Sequence, residues 1–147
     1  MVKDINKLYK LEKELGSGCF GTVYQAQPQH MSGIVAVKVI NKNLLDPKSE
    51  KNLESEVKTL TNISHPNIVK VIDICEDSKA VYIVTELVEN GDLLNVLETE
   101  FKTKPLKEGD IAIWIQELLV ALNYLHKEKK IIHRDLKLEN VLMDYNT

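Results

Sequence analysis

Apolar and polar positions change rhythm once along this chain. Up to about residue 87 the apolar residues come in short, β-branched, often alternating runs closed by glycine, proline or polar clusters, which is the pattern of strands and turns. Tyr9 to Leu15, Thr22 to Ala26 and Ile34 to Ile40 are predicted as strands, with Pro28 to Gly33 as the turn between the last two. Ile68 to Ile74 and Ala80 to Leu87 give two more, joined by the polar turn Glu76 to Lys79. Among them, Pro47 to Ile63 carries Leu53, Val57 and Leu60 at helical spacing. Asn90-Gly91-Asp92 is a breaker followed by a helix start, with a short helix to about Glu98. Ile111 to Leu125 then predicts a long helix whose apolar residues occupy most of its circumference, which implies burial on several sides. The expected fold class is α+β: a sheet-rich unit over residues 1–88 and a helical unit over 89–147.

Composition narrows the partners. The 147 residues are 44% apolar and 28% charged with both signs mixed, enough for a packed core. A net charge of -3 gives no bias toward nucleic acid or an anionic membrane, so neither is expected as a partner. Cys19 and Cys75 have no metal-ligand spacing and are expected to be free thiols in a reducing compartment. No apolar run reaches membrane-spanning length, and Met1 to Lys10 is too polar for a secretory signal. A cytoplasmic location is expected, with the nucleus as the alternative.

Four motifs carry chemistry. Gly16-Ser17-Gly18-Cys19-Phe20-Gly21-Thr22-Val23 is a glycine loop, whose backbone can fold close over a phosphate with no Cβ in the way. The residues after it are strand-like, so the loop joins two strands and does not open a helix as a dinucleotide turn does. In Val35-Ala36-Val37-Lys38, alternation puts Ala36 and Lys38 on one face. There the lysine can reach a phosphate while the alanine clears room for a flat base. Glu56 shares a stripe with Leu53, Val57 and Leu60, and a carboxylate among apolar residues calls for a partner. Lys38 is the expected one; the alternative is Glu56 at the stripe's edge, reaching solvent. The fourth motif is His133-Arg134-Asp135-Leu136-Lys137-Leu138-Glu139-Asn140. Asp135 can accept a proton from an attacking hydroxyl, Lys137 can offset phosphoryl charge, and Asn140 offers an amide oxygen suited to Mg2+.

Together these motifs resemble the N-terminal part of a eukaryotic protein kinase domain, over Tyr9 to Asp144. His65-Pro66-Asn67-Ile68 resembles the family's link after the helix, and Lys137 resembles the serine/threonine class. The wider texture is similar to calcium/calmodulin-dependent and calcium-dependent kinases. The resemblance implies a kinase-like fold: a five-stranded antiparallel lobe with one long helix, then the first helices and catalytic loop of a helical lobe. It implies ATP and Mg2+ as cofactors and a protein substrate bearing serine or threonine. The backbone of Gly16 to Gly21, including Ser17, Cys19 and Phe20, covers the phosphates in this reading. Val23, Ala36 and Leu142 enclose adenine; Thr85 is the gatekeeper; Glu86 and Val88 offer backbone hydrogen bonds; Asp92 lies by the ribose. Lys38, braced by Glu56, holds the α- and β-phosphates. Asp135 is the base, Lys137 a phosphate contact and Asn140 a metal ligand. His133 is structural, packed beneath the loop, with Leu60 and Val71 in the same column.

Leu138 stands where many family members have proline, and no Asp-Phe-Gly follows Tyr145. A partial domain is therefore expected, inactive alone, with an exposed helical surface that self-associates or takes a partner. The alternatives are a non-catalytic nucleotide- or partner-binding regulator, or a fragment with no role of its own.

Overall fold

The computed structural model describes residues 3–18 and 21–145. Five strands, β1 (Tyr9–Gly18), β2 (Gly21–Pro28), β3 (Val35–Asn41), β4 (Val71–Glu76) and β5 (Ala80–Glu86), form one antiparallel sheet in the order β1-β2-β3-β5-β4. Side chains alternate between faces along each strand, and here both faces are apolar. On one, Val35, Val37, Cys75, Val84 and Ala26 are buried beneath Ile5 and Tyr9. Ile5 belongs to a one-turn helix, α1 (Ile5–Leu8), which no sequence pattern announced. On the other face, Ile40, Val81 and Ile83 pack against Val57 of α2 (Pro47–Leu60), with Leu53, Leu60 and Val71 partly buried around them. Each large apolar side chain so buried contributes ~1.5–3 kcal/mol. Helix α2 starts where its sequence dictates. Asp46 caps it by accepting from the Lys48 and Ser49 amides, and Pro47 fills the first turn.

Residues 1–64 and 69–87 make this unit, while 65–68 join a second unit with 88–147. That excursion explains a boundary error. The expected strand from Ile68 begins only at Val71, because Ile68 donates to the His65 carbonyl in a turn. In the second unit, Asn67 Nδ2 donates to the Glu117 carbonyl at 3.0 Å, and the His65 ring lies 4.9 Å from that of Tyr124. Helices α3 (Leu93–Thr99) and α4 (Glu108–Tyr124) surround a small core of Leu93, Val96 and Met143. Phe101 and Trp114 meet there edge to face at 6.1 Å.

Helix α4 is covered on one side only: the burial on several sides that its apolar pattern implies is not met among these residues, and the exposed helical surface also expected is present. Ala121 and, just beyond the helix, Leu125 are buried, and Trp114, Leu118 and Leu122 half-buried. The opposite side stays in solvent, with Ile115 51%, Leu119 59% and Val120 49% exposed. The second unit has too few elements to cover both sides. No helix among the described residues is long and apolar enough to cross a membrane.

Cys75 is a buried free thiol, pushed up to about 11 chiefly by burial and then by the Asp73 charge; Cys19 lies outside the described residues. In the β4–β5 turn, Asp77 accepts from the Lys79 and Ala80 amides at 2.7 and 2.8 Å and from the Tyr82 hydroxyl at 2.9 Å. Burial alone would raise its pKa, but these donors outweigh it and hold the carboxyl below its ordinary 3.8. A depressed carboxyl stabilises the fold fully above its unfolded value and loses that contribution as pH falls through the folded one. Urea melts should therefore show Asp77→Ala less stable than the parent at pH 7, with the difference narrowing below about pH 4.

Candidate functional site

The sheet aligns part of the expected nucleotide site by register. Val23 pairs with Lys38, Lys38 with Ile83, and Ala36 with Thr85. Directly opposed residues share a face, so Val23, Ala36, Lys38 and Thr85 all lie on the α2 side. Val23, Ala36 and Thr85 are half-buried, and Lys38 is exposed at the end of this apolar strip. The Thr85 hydroxyl donates to the Glu86 carbonyl at 3.1 Å. Glu86 also bonds Lys70 twice, accepting its amide on the carboxylate and donating from its own amide.

The glycines of the loop differ in kind. At Gly21 (φ +158°) a Cβ would sit 1.9 Å from the Val39 carbonyl oxygen, so the β2–β3 pairing itself demands glycine. At Gly16 and Gly18 a Cβ would meet nothing within 4 Å. The fold leaves that space open, and a phosphate could use it. Ser17 is exposed on β1. Cys19 and Phe20, also expected at the phosphates, lie outside the described residues.

The expected pair of Lys38 and Glu56 is not formed; both side chains are exposed, and no ion pair among the described residues joins them. The reason lies in the helix. At 100° per residue Glu56 sits about 60° round from Leu53, on the flank of the stripe, while Leu53, Val57 and Leu60 fix how α2 lies on the sheet. An exposed ion pair is worth ~0–1 kcal/mol, too little to rotate a helix held by those contacts.

In the second unit, Asp135, Lys137 and Asn140 are brought together. Asn140 begins its role in a short turn, Leu138–Asn140, where its amide nitrogen also bonds the Lys137 carbonyl. Its Nδ2 donates to the Asp135 carbonyl at 2.8 Å and to Asp135 Oδ2 at 3.1 Å. Lys137 Nζ lies 3.8 Å from the same Oδ2. Among the described residues no donor reaches Asp135 Oδ1 or Asn140 Oδ1. Upstream, Arg134 holds a left-handed backbone (φ 66°), which turns the Asp135 amide onto His133 Nδ1 at 3.2 Å. His133 is exposed rather than packed beneath the loop; it acts by accepting that amide. Leu60 and Val71 pack with the α2-side cluster. The left-handed turn had no signal in the sequence, since neither glycine nor asparagine stands there.

A two-stranded bridge brings two more expected residues together. Leu93 N donates to the Val141 carbonyl and Met143 N to that of Gly91, pairing Asp92 with Leu142. Asp92 also caps α3 by accepting from Asn95 N at 2.9 Å. Val88 is half-buried in this unit.

Mg2+ takes oxygen ligands, keeps several waters and commonly uses one or two protein groups plus phosphate. Asp135 and Asn140 offer such oxygens side by side, which fits. Among the described residues no cluster of three or more His, Cys, Asp or Glu could hold a metal unaided.

Comparison with known proteins extends this picture. The protein kinase domain family matches residues 9–147. Myosin light chain kinase A of Dictyostelium discoideum is 36% identical over 140 residues, covering 95% of this chain and 46% of that protein. A probable serine/threonine-protein kinase of the same organism is 37% identical over 135 residues, covering 92% of this chain and 26% of that protein. The chain thus spans under half the length of these relatives.

Proposed function

This chain belongs to the protein kinase family, and from that premise we propose that it carries the nucleotide site and catalytic loop of a serine/threonine kinase. The reaction is transfer of the ATP γ-phosphoryl group, with Mg2+, to a serine or threonine hydroxyl of a protein. The observation that carries the reading is the convergence of Asp135, Lys137 and Asn140. The relatives' serine/threonine kinase names support it.

Each residue has a task that its surroundings suit. Asp135 Oδ1 takes the proton of the attacking hydroxyl, while Oδ2 is held by Asn140 and Lys137. A base fixed in this way loses little orientation entropy on reaction. Lys137 places positive charge where the transferring group gathers negative charge. Asn140 spends its Nδ2 on Asp135 and keeps its oxygen for the cation. Mg2+, when bound, neutralises phosphate charge. Lys38 holds the α- and β-phosphates beneath the amides of Gly16 and Gly18, and Val23, Ala36 and Thr85 receive the base.

In protein kinases the strand lysine and helix glutamate must pair for transfer. Their separation here favours a second reading, a regulator that binds nucleotide without transferring phosphate. A thermal melt tests the shared premise. Mg-ATP at one hundred times its dissociation constant stabilises by ~2.7 kcal/mol, a rise of roughly 5–10 °C for a chain of this size. Lys38→Met should shrink that rise, and no rise at millimolar Mg-ATP would sink both readings. Phosphate transfer that Asp135→Asn abolishes, with the ATP-induced rise unchanged, decides for the kinase.

A further inference from the structure

We propose that the Glu86 carboxylate is a positioning residue of the nucleotide site: it takes the Lys70 amide in place of Glu86's own carbonyl, which is thereby kept for the amine of the bound base. The inference rests on the nucleotide reading above and adds a side chain to it, since that reading uses only the backbone of Glu86.

The geometry is that of an altered rung in the β4–β5 ladder. Val71 pairs with Thr85, so the next residues out, Lys70 and Glu86, stand opposite each other in an antiparallel pair. A hydrogen-bonded rung exchanges two bonds, each amide to the other's carbonyl. One half of that exchange is present: the Glu86 amide donates to the Lys70 carbonyl at 3.1 Å. The Lys70 amide goes instead to Glu86 Oε1 at 2.8 Å. A charged carboxylate is a stronger acceptor than a neutral carbonyl, so the side chain wins the amide. The strand accordingly begins at Val71 and not one residue earlier.

The other neighbouring strand does not claim the carbonyl either. The Glu86 amide is turned toward the β4 side, and in extended backbone the carbonyl of the same residue turns with it. Val35, opposite Glu86 on β3, is therefore in a non-hydrogen-bonded pair with it. The Glu86 carbonyl meets the Thr85 hydroxyl at 3.1 Å. A carbonyl oxygen has two lone pairs, so that hydroxyl leaves one over. Thr85 shares its face with Val23 and Ala36, which puts the carbonyl at the end of the strip that receives the base. An exocyclic amine, as on adenine, is the donor this acceptor suits. Glu86→Ala leaves the Lys70 amide only the carbonyl to turn to, and the acceptor is then spent within the sheet.

Two triphosphates separate positioning from a general loss of stability: ATP, and purine riboside triphosphate, which lacks the amine. In calorimetric titrations the parent 147-residue chain should prefer ATP about fivefold. Glu86→Ala should bring that preference close to one by weakening ATP alone. Glu86→Gln keeps an acceptor oxygen and should retain it. In the nucleotide-free parent, a long-range HNCO spectrum should connect the Lys70 amide to the side-chain carboxyl carbon of Glu86. In Glu86→Ala the connection should move to the backbone carbonyl carbon of the same position. The inference is overturned, with nucleotide binding intact, by a parent that binds both triphosphates equally or whose Lys70 amide already connects to the backbone carbonyl. It is overturned equally by an undiminished preference in Glu86→Ala, or by Glu86→Gln behaving as Glu86→Ala does. A parent that binds neither triphosphate sinks the nucleotide reading itself, and this inference with it.

Discussion

Val37→Asp abolishes folding of the sheet unit. Val37 lies on the central strand β3 with 0% exposure, between Tyr24 of β2 and Val84 of β5. Its neighbours on that face, Val35, Val84 and Cys75, offer no cation and no strong donor. An unpaired carboxylate there must stay ionised at a cost of several kcal/mol or take up a proton at neutral pH. Either course consumes most of the ~5–15 kcal/mol that holds a domain together. Val37→Thr separates polarity from shape, because it keeps the branched outline and adds one hydroxyl. It should cost about 1–3 kcal/mol and still melt cooperatively by circular dichroism. A cooperative melt for Val37→Asp near the parent temperature would show that the centre of the sheet is not dry.

Gly21→Ala destabilises the same unit by about 3 kcal/mol. The added methyl meets the Val39 carbonyl oxygen at 1.9 Å and the carbonyl carbon at 2.9 Å, both backbone atoms of the partner strand. No side-chain rotation can relieve such a contact, so the β2–β3 pairing must open where Gly21 faces Ile40. Gly16→Ala is the comparison: with open space around it, its stability should stay within about 0.5 kcal/mol of the parent. Denaturant melts of the two variants decide the matter. Equal losses would mean that the loop glycines are all required by the fold, leaving none to be explained by a ligand.

Most of the sheet was legible because its signals are local. Strands β2 to β5 carry β-branched residues closed by turn residues, β1 has none and is legible from Tyr9 to Leu15 leading into the glycine cluster, and the direct strand link after that cluster came from Thr22-Val23-Tyr24. Boundaries were less so. Helix α4 starts at Glu108 rather than Ile111, because its first turn is acidic and polar, whereas the expectation followed apolar residues. The departure of residues 65–68 depends on contacts with Glu117 and Tyr124, far along the chain, that no local pattern records. The cluster of Asp135, Lys137 and Asn140 was legible as residue types, but the parts played by the Arg134 backbone and His133 Nδ1 in shaping it were not. The Lys38–Glu56 pair failed for a further reason. Spacing shows which helix face a residue occupies, whereas pairing depends on the angle at which the helix is laid down.

The short excursion at 65–68 has a consequence for dissecting the molecule. The polypeptide passes between its two units three times, after Ser64, after Ile68 and after Leu87. A gene cut at codon 88 would deliver a downstream piece lacking His65 and Asn67, and an upstream piece with a loop bereft of its anchor. Neither half should be expected to behave as a free-standing protein. Mixing the two separately made pieces should restore order to both, as a split reporter does when its parts find each other.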